Sequence, residues 1–112
     1  MVKREYIILW ALGIHARPSS TLAKCMEPFN LAKADIAYKA MDGTVHRGSM
    51  KSVMELLFVC APCQGTVEVV LDGPDEEKAA AFLQEFFGTA DEEELYQKYN
   101  PALAQQIPKM KG

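Results

Sequence analysis

The chain has 112 residues, 49% hydrophobic and 24% charged, which is enough for one small core and short for two domains. Its formal net charge of −3 excludes a general nucleic-acid binder, whose phosphate contacts need a concentrated basic face. The apolar stretch at residues 6–12 is too short to span a membrane and lacks a signal-cleavage pattern, and three cysteines, an odd number, fit a reducing compartment, so a cytoplasmic protein without membrane insertion is expected.

Residues 3–10 combine β-branched and aromatic side chains with no breaker before Gly13 and predict the first strand. A helix is predicted at about 16–27, with Leu22, Ala23 and Met26 sharing an apolar face with Ala16 and Ser19, and Pro28 limiting its continuation. Between them, Gly13-Ile14-His15-Ala16-Arg17-Pro18-Ser19 places a histidine at or beside the helix N-cap and an arginine two positions later. The first turn of a helix has N–H groups without intrahelical partners and a positive dipole end, and Pro18 suits it because its missing donor would have been an orphan. The backbone N–H groups of Ala16 and Arg17, with the Arg17 guanidinium, can hold the oxyanions of a phosphoryl group bonded to His15. The junction therefore reads as a covalent phosphohistidine site.

Ala34, Ile36, Tyr38 and Ala40 alternate with Asp35, Ala37 and Lys39 in a second strand, and Asp42-Gly43 is a hairpin turn into a third at 44–47. Ser52 and Glu55 have the S-x-x-E spacing of a capping box and predict a short helix at 52–57. So short a helix cannot bury Val53, Met54, Leu56, Leu57 and Phe58 together. Met54 and Leu57, with Val53, are thus candidates for an exposed docking patch, with Arg17 and Lys24 on its positive rim. Cys60-Ala61-Pro62-Cys63 has the spacing of a redox dithiol or half a zinc site, but Pro62 and Gln64-Gly65-Thr66 lead into a strand, where a thioredoxin-like site needs a helix. Cys25 and His46 are not spaced to complete a zinc set, so no metal or cofactor is expected, and His46 is expected to be a solvated residue of the edge hairpin.

Val67, Val69 and Leu71 alternate with Glu68 and Val70 in a fourth strand, and Gly73-Pro74 precedes a helix with Asp75, Glu76 and Glu77 in its first turn and Ala79, Phe82, Leu83, Phe86 and Phe87 on its buried stripe. The order βαββαβα suits an α+β open-faced sandwich, a four-stranded antiparallel sheet with helices on one face. It is complete at Gly88, so residues 1–88 are expected to be the folded domain and 89–112 an accessory extension. In the extension, Thr89-Ala90-Asp91-Glu92 is a second capping-box candidate, Leu95, Tyr96 and Tyr99 give a short helix a modest apolar face, and Asn100-Pro101 opens an irregular tail.

Three segments together resemble the HPr family, the histidine-containing phosphocarriers of the phosphoenolpyruvate-dependent sugar phosphotransferase system. They are G-I-H-A-R-P at 13–18, Lys51-Ser52-Val53-Met54 around a regulatory serine, and Gln64-Gly65-Thr66-Val67; the likeness covers roughly residues 1–87. The resemblance implies a carrier that is not an enzyme in its own right, a monomer that works without a cofactor. His15 would accept a phosphoryl group, as pros-phosphohistidine, from enzyme I, itself phosphorylated from phosphoenolpyruvate, and pass it to enzyme IIA proteins of sugar transport. Arg17 would stabilise the phosphate. Ser52 would be the target of the ATP-dependent HPr kinase/phosphorylase, which adds a transcriptional regulator to the partners implied. Two positions depart from the family pattern. Ala11-Leu12 stand where many members have a short polar residue before the glycine, so the orientation of the imidazole must be supplied differently here, and Glu55 stands where a neutral or basic residue is common. Two other classes stay open. One is a regulatory binding module acting through Ser52 and the 52–57 helix, with little phosphotransfer through His15, and the other is a dithiol redox protein using Cys60 and Cys63.

Overall fold

Alternation along the central strands gives the sheet one dry and one wet face. The computed structural model describes residues 1–106. In chain order they form β1 (Val2–Ile7), α1 (Ala16–Met26), β2 (Lys33–Lys39), β3 (Val45–Ser49), α2 (Val53–Val59), β4 (Thr66–Asp72), α3 (Glu76–Gly88), α4 (Glu92–Tyr99) and α5 (Pro101–Gln106). The strands pair antiparallel in the order β1-β4-β2-β3. The register sets Leu71 between Val2 and Ala34, and Val67 opposite Tyr6, while Val69 pairs with Ile36. These residues are all buried, whereas Lys3, Glu5, Asp35 and Glu68 at intervening positions are exposed. Helices cover the dry face, as the βαββαβα order predicts.

The core is completed by Leu22 and Met26 of α1, Leu56 of α2, and Ala79, Leu83, Phe86 and Phe87 of α3. Aromatic rings join the sheet to α3. Tyr6 stacks on Phe87 at 4.9 Å between centroids, and Trp10 meets Phe86 edge-on at 5.6 Å. No helix among the described residues is long and apolar enough to cross a membrane.

Local chemistry accounts for three departures from the expected elements. The first strand stops at Ile7 because the backbone of Ile8 turns to the loop before β4, its N–H donating to Gly65 at 2.9 Å and its carbonyl accepting from Gln64 at 2.7 Å. Ala16, expected on the apolar face of α1, is exposed because it opens the helix at the surface. The buried face is Pro18, Ser19, Thr21, Leu22, Ala23 and Met26. The irregular tail expected from Asn100 is instead the helix α5. Asn100 ends α4 and caps α5, its side-chain oxygen accepting from Leu103 N–H at 3.4 Å, and Pro101 takes the first helical position, where its ring is pre-set and no donor is lost. The remainder of that expected tail, 107–112, lies outside the described residues.

The extension packs on the helices. Leu95 and Tyr96 are buried among the core residues, and Tyr99 sets its ring against Phe82 and Phe86, at 5.3 and 5.5 Å. Polar contacts also tie it to the rest of the molecule. Trp10 Nε1 donates to Thr89 O at 2.8 Å, Asn100 Nδ2 to Thr21 Oγ1 at 3.3 Å, and the Cys25 thiol to Tyr99 O at 3.7 Å. Thus α4 lies beside α1, whose first turn is the phosphohistidine candidate.

Candidate active site

Gly13 sets the entry to α1. Its φ is +69°, and a Cβ there would lie 2.3 Å from Ala61 O, so neither the backbone conformation nor the space admits a side chain. On either side of that close approach, Gly13 N–H donates to Trp10 O and Ile14 N–H to Ala61 O, both at 2.9 Å. The chain thus arrives at His15 with its path fixed. His15 is the N-cap, with extended backbone (φ −113°, ψ −170°), and its carbonyl accepts the first helical bond from Ser19 N–H at 3.0 Å. Its side chain makes no capping bond. Ala16 and Arg17 follow at the first two helical positions, where N–H groups have no acceptor within the helix, and Pro18 has no N–H at the third. Ala16 and Arg17 are exposed, so these donors lie at the surface, next in the chain to a histidine whose side chain is about a quarter exposed (25%).

The histidine is held from outside its own helix. Its Nε2 lies 2.9 Å from Glu92 Oε1 in the first turn of α4, 77 residues away. The same oxygen accepts from the Tyr96 hydroxyl at 2.5 Å, one turn further along α4, and Tyr96 is almost wholly buried. Burial, then the hydrogen bond to Glu92 and its negative charge, push the Tyr96 phenol well above the ordinary tyrosine range and keep its donor in place.

Glu92 is free for this role because another residue caps α4. The Thr89…Glu92 capping box does not form. Asp91 is the N-cap, accepting from Glu93 N–H at 3.0 Å, and the Thr89 hydroxyl donates to Glu85 O at 2.8 Å. The Ser52…Glu55 box is half formed. Ser52 caps α2, its oxygen accepting from Glu55 N–H at 3.2 Å, but Ser52 N–H is already bonded to Ser49 O, and the Glu55 carboxylate accepts from Ser49 N–H at 2.9 Å instead.

Of the expected patch, Val53, Met54 and Leu57 are exposed, while Leu56 and Val59 supply the inner face of α2. Phe58, 67% exposed, joins them, and Met54, Leu57, Phe58 and Cys60 line an open apolar hollow of about 360 Å³. Lys24 is exposed in the last turn of α1, which packs against α2. Cys60 ends α2 in a left-handed conformation (φ 54°), so a helix closes at the C-x-x-C segment where a thioredoxin-like site would open one. Both its thiol and that of Cys63 are free. His46 is half-buried with its ring 6.4 Å from that of Tyr38, less solvated than its edge position suggests.

Sequence reasoning missed Glu92 and Tyr96 as site residues. Their i, i+4 spacing does set a carboxylate beside a large side chain on one helix face, but nothing local points that face at His15.

A family model described as the PTS HPr component phosphorylation site matches residues 2–89. The phosphocarrier protein HPr of Treponema pallidum (strain Nichols) is 30% identical over 94 residues, spanning 84% of this chain and 100% of its own. The phosphocarrier protein NPr of Escherichia coli (strain K12) is 31% identical over 93 residues, 83% of this chain and 98% of its own. Among solved structures, a Mycoplasma histidine-containing phosphocarrier protein superposes with a TM-score of 0.65 at 30% identity, covering 80% of this chain and 96% of that one. The family match ends before α4, so Glu92 and Tyr96 lie beyond it.

Proposed function

Because the chain belongs to the HPr family of phosphotransferase-system phosphocarriers, we propose that it takes a phosphoryl group onto His15 from phospho-enzyme I and hands it to enzyme IIA proteins of sugar transport in the cytoplasm. The observation that carries this reading is the unspent cap. At the head of α1 the histidine side chain makes no bond to its own helix, leaving the N–H groups of Ala16 and Arg17 and the Arg17 guanidinium to bind phosphate oxygens. A carrier must hold the group firmly enough to protect it from water and loosely enough to release it to the next nucleophile. A surface helix end gives preorganised donors without walling off a partner.

Val53, Met54 and Leu57, with Lys24 at the edge of α1, are the surface we assign to docking of these partners. Ser52 is a candidate for regulatory phosphorylation by an HPr kinase/phosphorylase. A phosphate there adds about −1.5 to −2 charges beside that surface and opposes an acidic face on enzyme I.

The direct test is incubation of the pure protein with phosphoenolpyruvate and enzyme I, followed by mapping of the acid-labile label. We expect it on His15, with His15→Ala abolishing incorporation while the thermal transition stays cooperative. Arg17→Ala should slow incorporation by roughly tenfold without abolishing it. Label incorporated at the wild-type level by His15→Ala would end the proposal.

A further inference from the structure

We propose that Glu92 is a positioning residue for His15, an inference that rests on the phosphocarrier reading. It fixes which ring nitrogen attacks and faces the positive charge that develops on the ring. A carboxylate has lone pairs and no proton to give, so the 2.9 Å contact with Oε1 requires the proton to be on Nε2 of His15. In the neutral ring the lone pair is then on Nδ1, which makes no hydrogen bond among the described residues. When Nδ1 attacks the phosphorus of the donor, an N–P bond forms, and the bond from phosphorus to the donor breaks with its electron pair going to the donor. The Nε2 proton stays where it is. The imidazole becomes cationic in that step, and the Glu92 carboxylate is already against its N–H, an arrangement that holds a tautomer and stabilises an imidazolium at once.

The rest of α4 keeps the carboxylate there. Tyr96 donates to the same oxygen from a buried position, Leu95 anchors the helix in the core, and Asn100 ties its far end to Thr21 of α1. Nothing on the approach to His15 could substitute, since Leu12, the residue before Gly13, is apolar and 76% exposed.

The test uses the full chain with Glu92→Ala, Glu92→Gln and Tyr96→Phe, each first checked for a cooperative thermal transition. Nitrogen NMR of the His15 ring at mildly alkaline pH should find the Nε2–H form in the wild type, a shift toward mixed tautomers in Glu92→Ala, and recovery in Glu92→Gln, whose amide oxygen still accepts. In labelling by phospho-enzyme I, Glu92→Ala should lower kcat about tenfold with KM within about twofold. Glu92→Gln should keep the orientation and lose only the charge, retaining about a third of wild-type kcat, and Tyr96→Phe should fall between. An equal or faster kcat in Glu92→Ala, or unaltered ring nitrogen signals, would overturn the inference while leaving His15 as the acceptor. A wild-type chain that takes no label at His15 would remove the phosphocarrier reading, and this inference with it.

Discussion

Both α1 and α2 begin on a residue that can carry a phosphoryl group, and they use their caps in opposite ways. Ser52 has extended backbone and its side chain satisfies an N–H of α2, so the hydroxyl already serves the fold. His15 has extended backbone as well, but its side chain ignores α1 and is bonded to Glu92 of α4. At the seven-residue α2, therefore, the cap holds a short helix together. At the eleven-residue α1, the cap is free for chemistry because burial of Leu22 and Met26, more than the cap, keeps the helix in place. A phosphoryl group on His15 would meet unused donors. One on Ser52 would alter a bond the helix is already using.

The largest expected effect comes from removing what holds His15 from outside. Truncation after Gly88 deletes the buried Leu95 and Tyr96 and uncovers Phe82 and Phe86. We expect residues 1–88 to unfold cooperatively with stability lowered on the order of 3 kcal/mol, measured by urea titration, and to take label at His15 more slowly. A truncated chain that labels at the full-length rate would mean that the outside hold on the histidine has no chemical role.

Substitutions at Ser52 sharpen the other side of the contrast. Ser52→Ala should cost about 1 kcal/mol of stability through the lost cap, with labelling of His15 unchanged. Ser52→Asp keeps an N-cap acceptor and should fold normally, yet slow labelling several-fold at low ionic strength, with the deficit shrinking as salt rises. If the aspartate variant labels at the wild-type rate in dilute buffer, Ser52 is a structural cap and no electrostatic switch.

The smallest effect concerns alkaline pH. The Tyr96 phenol titrates well above 10.0 in the folded chain, so the unfolded chain gives up this proton first. The stability from this group is complete below about pH 10 and is lost as the pH climbs beyond it. The melting temperature of Tyr96→Phe should therefore decline less steeply than that of the wild type between about pH 10 and 12. Some decline should persist, because burial also raises the phenols of Tyr6 and Tyr99. Identical alkaline slopes would show that Tyr96 carries no proton-linked stability.

Much of this was legible in the sequence because it is written locally. The period of two in the strands, the Asp42-Gly43 turn and the apolar stripe of α3 each specify their element without reference to distant residues, and Gly13 with Pro18 marks the histidine as the head of a helix. Where two local rules competed, reading was harder. Asn100-Pro101 serves as a breaker or as a cap followed by a first-turn proline, and the buried Asn100, bonded to Thr21 of α1 and accepting from Leu103 N–H, takes the second role. The sequence pointed to Thr89 as the cap of α4 with Glu92 as its box partner, and the use of Asp91 instead is what released Glu92. The bond from Glu92 to His15 left no trace at all. It depends on α4 folding back over α1, and a single polar contact across that distance has neither period nor spacing.

Trp10 gives that fold-back an optical gauge. It is the only tryptophan in the chain, it is buried against Phe86 and Phe87, and its indole N–H is bonded to Thr89, at the point where the chain leaves α3 for α4. Lifting α4 from α1 should strain or break the bond from the indole to Thr89, and a shift of the tryptophan emission to longer wavelengths is the expected readout. The same emission, followed during mixing with a docking protein, would time whether the extension opens before the partner arrives or after it.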